Sequence, residues 1–209
     1  MSSQSFTLLQ SRASDAYDRL PFPTLKYGLD IHTDVSPSSL DHLSPSPTHT
    51  QPFMQTTPDG LIVCDLASAF ERIPGEMKRF ASLLSLEDKF ESLHLSKVKD
   101  GVVVIVPENV HISTPISLPS FASPFEHVYV VAKSGSRISL VHHEQSTLVE
   151  GYHSSAVEVF AEKDAHVTYV SLQDFSSSVT RFAFKRARVS ERATVDWFWS
   201  EFGSQLVKM

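Results

Sequence analysis

Four stretches in the second half of the chain repeat one another at nearly constant spacing. They are PENVHIS (107–113), SGSRISLVH (134–142), KDAHVTYVS (163–171) and SERATVDWF (190–198). With Asn109, Ser136, Ala165 and Ala193 taken as equivalent, successive repeats lie 27, 29 and 28 residues apart. A Greek-key sandwich has no reason to keep so even a period, whereas a β-helix does, because each coil completes one circuit before stacking on the last. The apolar positions agree. Ile138, Val167 and Val195 fall in one column, and Leu140, Tyr169 and Trp197 in a second. The two lie two residues apart, which on a strand is the same face. Val130, Val159 and Ala187 form a third column six residues before the reference position. Ser134-Gly135, Lys163-Asp164 and Ser190-Glu191 supply the turns. The fold class that follows is mainly β: a parallel β-helix preceded by a small α/β N-terminal helical region. Val141, Val170 and Phe198 form an apolar stripe on the opposite, outward face, and such a stripe needs a cover. Either the helices of residues 66–95 or another subunit is expected to supply it.

Upstream, Phe6, Leu9, Ala13, Ala16, Tyr17 and Leu20 are spaced by threes and fours, which predicts an amphipathic helix over 6–20 that ends before Pro21. Seven of the twelve prolines lie between residues 21 and 60, and the run SPSPTHTQP (44–52) suits neither helix nor interior strand. Asp59-Gly60 predicts a turn and Leu61–Cys64 a strand. Asp65 is placed to cap a helix through Glu71, and Pro74-Gly75 to stop it. Two further helical pieces are expected over 76–84 and 86–95, the second with Ser85 and Asp88 at capping-box spacing. The organisation is therefore an N-terminal helix and Pro/Ser-rich arm (1–58), a small helical region (59–100) and β-helix coils (101–209).

Net charge is −6 with no block of Lys or Arg, so neither nucleic acid nor an anionic membrane surface is an expected partner. Residues 1–20 carry no basic segment followed by an apolar one, and the apolar run Val102–Val106 is far too short to span a bilayer, so a cytoplasmic location is expected. The single cysteine, Cys64, excludes an intramolecular disulfide and an all-cysteine cluster site within one chain.

Several segments together resemble the SufB/SufD family of iron–sulfur cluster assembly proteins. Phe90-Glu-Ser-Leu93, Asp100-Gly-Val-Val-Val-Ile-Val-Pro107, Val110 and Pro115-Ile-Ser-Leu118 resemble the stretch that leads into that family's β-helix. Asp59-Gly-Leu-Ile-Val-Cys-Asp-Leu-Ala-Ser-Ala69 is similar to an upstream segment of the family, and the coil tops at Lys163-Asp-Ala165 and Glu191-Arg-Ala193 to its recurrent strands. Leu20-Pro-Phe-Pro23 with Lys26-Tyr27 resembles the arm of SufD, without the usual Trp. The likeness covers residues 59–202 well and the first 58 poorly. It implies a SufD-like, N-terminal half of a scaffold subunit rather than an enzyme. Such a subunit pairs with a SufB-like subunit and a SufC-type ABC ATPase, and an iron–sulfur cluster is held only transiently in the full complex. The family's functional Cys and His and its ATPase-binding helices lie in the C-terminal half, so no catalytic, metal or cofactor residue is assigned in this chain. The strands are expected to break off mid-stack at Met209, and the chain to self-associate through that β-edge.

Cys64, in LIVC, reads as a buried inert thiol. His142, His143, His153 and His166 are candidate metal ligands, but neighbours on a strand point to opposite faces, so 142 and 143 do not share an ion. These histidines are expected to hold no metal. Trp197, Trp199 and Phe202 read as core filling rather than a stacking platform. No Gly-rich phosphate loop, HExxH, GxSxG or CxxC occurs. Two rivals remain: a β-helix carbohydrate-active protein, disfavoured because no acidic residue is recognised at interior strand positions, and a cupin-like jelly roll with histidine ligands.

Overall fold

The structure is a computed structural model that describes residues 1–22, 25–27, 31–33, 52–119, 121, 123–145, 150–204 and 206–208. Most of the Pro/Ser-rich arm, including the run from Ser44 to Gln51, lies outside the described residues. A first helix, α1 (Ser3–Arg19), is capped by Ser2, whose hydroxyl accepts from the Ser5 amide, and it ends before Pro21 as its spacing predicts. A short antiparallel pair follows, β1 (Leu25–Tyr27) and β2 (Ile31–Thr33). Next come β3 (Met54–Thr56), β4 (Ile62–Asp65), α2 (Leu66–Arg72), a 3-10 turn (Glu76–Arg79) and α3 (Lys89–Lys97). The remaining strands are β5 (Asp100–Val106), β6 (Ile116–Leu118), β7 (Phe125–Ala132), β8 (Arg137–Gln145), β9 (Glu150–Ala161), β10 (His166–Asp174), β11 (Ser178–Val189), β12 (Thr194–Phe202) and β13 (Leu206–Lys208).

From β5 onward every strand pairing is parallel, and the strands sort into two sheets. One runs β12-β10-β8-β6; the other runs β13-β11-β9-β7-β5, extended by the antiparallel β4 and β3. Consecutive strands alternate between the sheets, as a coil winding around a lumen requires. This is a parallel β-helix, and the parallel ladders exclude the jelly-roll rival. The registers are those of the repeat: Val167 pairs with Ile138 and Val195, Tyr169 with Leu140 and Trp197, and Val159 with Val130 and Ala187. Ile138 and Val167 are fully buried, whereas Val195 is only partly buried and Ala187 is exposed on the last coil.

One corner of each coil turns through a residue in the left-handed region: Asn109 (φ 57°), Gly135 (φ 69°), Asp164 (φ 61°) and Arg192 (φ 54°). These corners stack through amide-to-carbonyl bonds from Asn109 to Ser134, Gly135 to Lys163 and Asp164 to Glu191, at 2.9–3.0 Å. At the second corner a Cβ on Gly135 would sit 2.4 Å from Asn109 Oδ1, so a larger residue there would force the Asn109 side chain aside. The corners also correct the alignment of the first repeat by one residue. Asn109 is equivalent to Gly135, not Ser136, because His111 bridges to Arg137.

Two apolar cores result. The first fills the lumen with Val102, Val104, Val128, Val130, Ile138, Leu140, Val157, Val159 and Tyr169. The second lies between the helices and the outer face of the larger sheet, where Phe90 stacks on Phe182 at 4.0 Å and Phe80 packs edge-on to Tyr129. Phe6 of α1 stacks on Phe70 of α2, and Lys89 of α3 donates to the Tyr17 and Leu20 carbonyls. The helices therefore cover the larger sheet and not the Val141/Val170/Phe198 stripe. That stripe faces outward on the smaller sheet as expected, and Phe198 is 58% exposed.

Local departures have simple causes. The stretch 76–84 forms only a 3-10 turn, because Ala81 adopts a left-handed φ of 60° and breaks the helix. The cap of α3 is Asp88 rather than Ser85. Its carboxylate accepts from the Phe90 and Glu91 amides, while Glu91 reaches back to the Ser85 amide. Asp88 is thus the N-cap, while Glu91 ties the preceding loop at Ser85 rather than closing a reciprocal pair with the cap residue.

Candidate functional site

Inward positions alternate along each strand, and the lumen changes character from one end of the strands to the other. Toward their C-terminal ends on the smaller sheet, the inward column Ile138, Leu140 continues into His142 and Glu144; Val167, Tyr169 continues into Ser171 and Gln173. Across the lumen, Val130, Val128 runs back into Glu126, and Arg181 of β11 points in as well. Glu126, His142, Glu144, Ser171, Gln173 and Arg181 are all 2% exposed or less. Interior acidic residues therefore exist, and the expectation that there are none is corrected. The signal was in the sequence: Glu144 is two residues from His142 and Glu126 two from Val128, each in phase with an apolar column.

Arg181 organises this polar lumen. It donates to Glu144 Oε2 at 2.6 Å, to Glu201 Oε1 at 2.8 Å and to Ser155 Oγ at 3.3 Å. Ser171 Oγ donates to the other Glu144 oxygen at 2.6 Å. Burial pushes the Glu144 carboxyl upward, but Arg181, His142, the Ser171 bond and Lys185 together outweigh it and hold it below the usual carboxylate range. Glu126 goes the other way. Burial first and the Glu144 charge second raise it well above the usual range, and it has no salt bridge to Lys or Arg among the described residues. His142 Nδ1 is hydrogen-bonded to Tyr169 Oη at 2.9 Å, and its Nε2 lies 3.7 Å from Glu126 Oε1. Among the described residues neither His142 Nε2 nor Glu126 Oε1 has a hydrogen-bond partner. His153 also faces the lumen against Phe175, and burial pushes it down to about 3, so it stays neutral.

A second buried polar chain joins the helices to the larger sheet. Ser154 Oγ meets His94 Nδ1 at 2.9 Å, His94 Nε2 meets His127 Nδ1 at 3.3 Å, and His127 Nε2 donates to Glu158 Oε2 at 3.0 Å. Glu158 also accepts from the Ala81 and Leu83 amides at 2.6 Å. With Ser154 donating, every proton in the chain points toward Glu158, and His94 is held neutral by its burial and by His127. The chain anchors the break at Ala81 to the β-helix. Nothing in local sequence spacing announces it, because its members lie 31 to 77 residues apart.

The other candidates fall as follows. His142 is buried and His143 is exposed, on opposite faces as expected. His166 points outward and pairs with Asp196 at 2.9 Å, both about two-fifths exposed. It shares no site with His142. Cys64 is fully buried, and burial, with Asp65 beside it, pushes its thiol up to about 12. Trp197 packs partly into the lumen. Trp199 and Phe202 are 51% and 61% exposed, which overturns the core-filling reading for those two. The acidic lumen residues do not revive the carbohydrate-active rival, because at 2% exposure or less Glu126 and Glu144 are out of reach of a sugar chain. Among the described residues no helix is long and apolar enough to cross a membrane.

Comparison with known proteins bears on the same region. Residues 117–209 match the family profile described as SUF system FeS cluster assembly, SufBD core domain. An iron–sulfur cluster assembly SufBD family protein of Staphylococcus saprophyticus is 26% identical over 156 residues, covering 70% of this chain and 34% of that protein. Similar proteins of Staphylococcus aureus strain USA300 and Staphylococcus haemolyticus are each 29% identical, with the same shares of both chains. The chain thus spans about a third of the length of these relatives. With the core-domain match falling on β-helical coils and the relatives bearing the same description, the chain is similar to the SufBD family of iron–sulfur cluster assembly proteins.

Proposed function

We propose that this chain works as a SufD-like, non-enzymatic scaffold element in the cytoplasm. It pairs with a SufB-like subunit and operates with a SufC-type ABC ATPase, while the iron–sulfur cluster is cargo of the complete assembly. The observation that carries the reading is the coincidence of the SufBD core match with the parallel coils of residues 117–209. A rigid solenoid with two packed cores suits a platform. Trp199 is exposed on the opposite side of β12 from Phe198 and Phe202, and these two, exposed on its outward face, are suited to burial against another β-helix. In its absence the same surface favours self-association.

Co-expression tests the reading. The tagged chain, produced together with a SufB-like subunit and a SufC-type ATPase, is expected to retain the SufB-like subunit through purification in equal amount. Recovery of the tagged chain alone, in folded form, argues against the scaffold role.

A further inference from the structure

We propose that Glu126, His142 and Glu144 form a binding site for one divalent first-row transition-metal ion inside the β-helix lumen. The inference stands on the lumen's geometry and does not depend on the scaffold reading. It departs from the sequence expectation that the histidines hold no metal.

One ligand atom from each of these residues lies within 4.8 Å of the others, and all three residues are buried. Two of the atoms are orphaned: among the described residues Glu126 Oε1 and His142 Nε2 have no hydrogen-bond partner, although both belong to residues 2% exposed or less. Leaving such groups unsatisfied is costly, which makes each one call for an explanation. Their separation of 3.7 Å is too long for a shared proton to bridge. It does suit an ion. Metal–nitrogen and metal–oxygen bonds of about 2.1 Å at tetrahedral angles place two ligand atoms roughly 3.4–3.6 Å apart.

The surroundings hold the ligands in the required states. His142 must present a lone pair at Nε2, which places its proton on Nδ1, where Tyr169 Oη accepts it at 2.9 Å. A neighbour that fixes the tautomer in this way is the usual support of a metal-bound imidazole. Glu144 is oriented by Ser171 and Arg181, each occupying one lone pair of a different oxygen and leaving others free. Arg181 does not turn the site cationic, because Glu144 and Glu201 both pair with it. Glu126 has no salt bridge to Lys or Arg among the described residues, and a divalent ion would supply the counter-charge its carboxylate needs on deprotonation. One imidazole with two carboxylates selects Fe²⁺, Mn²⁺, Co²⁺ or Zn²⁺ over Mg²⁺ and Ca²⁺, which favour all-oxygen sets.

Cobalt is the probe. The full chain, stripped with chelator, is titrated anaerobically with CoCl₂ and followed by visible d–d absorption. Because the site is buried, the chain is also expressed in Co²⁺-supplemented medium and its metal content measured. One Co²⁺ per chain is expected, displaced by Zn²⁺. Glu126→Gln, which keeps the shape and removes the charge, and His142→Phe should each weaken binding by at least about tenfold. Tyr169→Phe, which removes only the bond to Nδ1, should weaken it by about tenfold. His143→Ala, on the outward face, should bind as the parent does. Circular dichroism verifies that each variant is folded. A folded parent chain that takes up no Co²⁺ by either route overturns the proposal, and so does binding that survives Glu126→Gln and His142→Phe unchanged. The first result would mean that water, not a metal ion, satisfies these two atoms.

Discussion

Replacing Arg181 by Met should expose how strongly the lumen depends on one guanidinium. The side chain is fully buried and is the cation bonded to Glu144, with a second bond to Glu201. Without it, Glu144 becomes a buried carboxylate beside a second one, Glu126. Breaking a buried pair from one side costs about 3–5 kcal/mol, a large share of the roughly 5–15 kcal/mol that holds a domain together. The pH dependence gives the sign. In the parent chain Glu144 is held below its ordinary range, so its contribution is present above the unfolded-state value and is lost as pH falls. In Arg181→Met the largest counterweight to burial is gone and the carboxyl should rise above its unfolded value. The penalty should then be largest near neutral pH and shrink as acid neutralises the group. Denaturant unfolding at pH 5 and pH 8 measures both effects, and the double variant Arg181→Met/Glu144→Leu should recover at least half of the loss. If the single variant does not fold, the double variant carries the test. A single-variant penalty under about 1 kcal/mol, or one that grows at low pH, would refute the reasoning.

Other perturbations follow from close approaches and burial. Gly101→Ala places a Cβ 2.0 Å from the His127 carbonyl oxygen in the β5–β7 ladder, so it should lower stability by about 1–3 kcal/mol in chemical denaturation; a neutral result would contradict the register. Gly135→Ala combines a φ of 69° with the clash on Asn109 and should cost about 1–2 kcal/mol, part of which Asn109→Ala should restore. Cys64 should resist iodoacetamide at pH 8 in the native chain and react fully in denaturant; rapid native labelling would contradict its burial and raised thiol.

The coil period was legible because a solenoid writes its geometry into one dimension: residues about 28 apart share a wall, and the apolar columns Ile138/Val167/Val195 and Val130/Val159/Ala187 stand in register. The caps at Ser2 and Asp65 are equally local. What escaped is the part that depends on the lumen's cross-section. Glu144 and Arg181 are 37 residues apart on opposite walls, and a charged residue in an inward phase looks like surface until a partner is placed across from it. The Ser154–His94–His127–Glu158 chain needs the helices docked on the larger sheet, and only the outward aromatics Tyr129, Phe160 and Phe182 hint at that docking. Trp199 misled because its phase is inward, yet on the last described coil an inward residue is half exposed.

The scaffold role is the central claim, and sedimentation velocity of the chain mixed with a purified SufB-like subunit tests it most directly. One faster boundary containing both chains in equal amount is expected, weakened when Phe198 and Phe202 are changed to Ser. Two boundaries that sediment independently at every concentration, with both proteins folded, would contradict it.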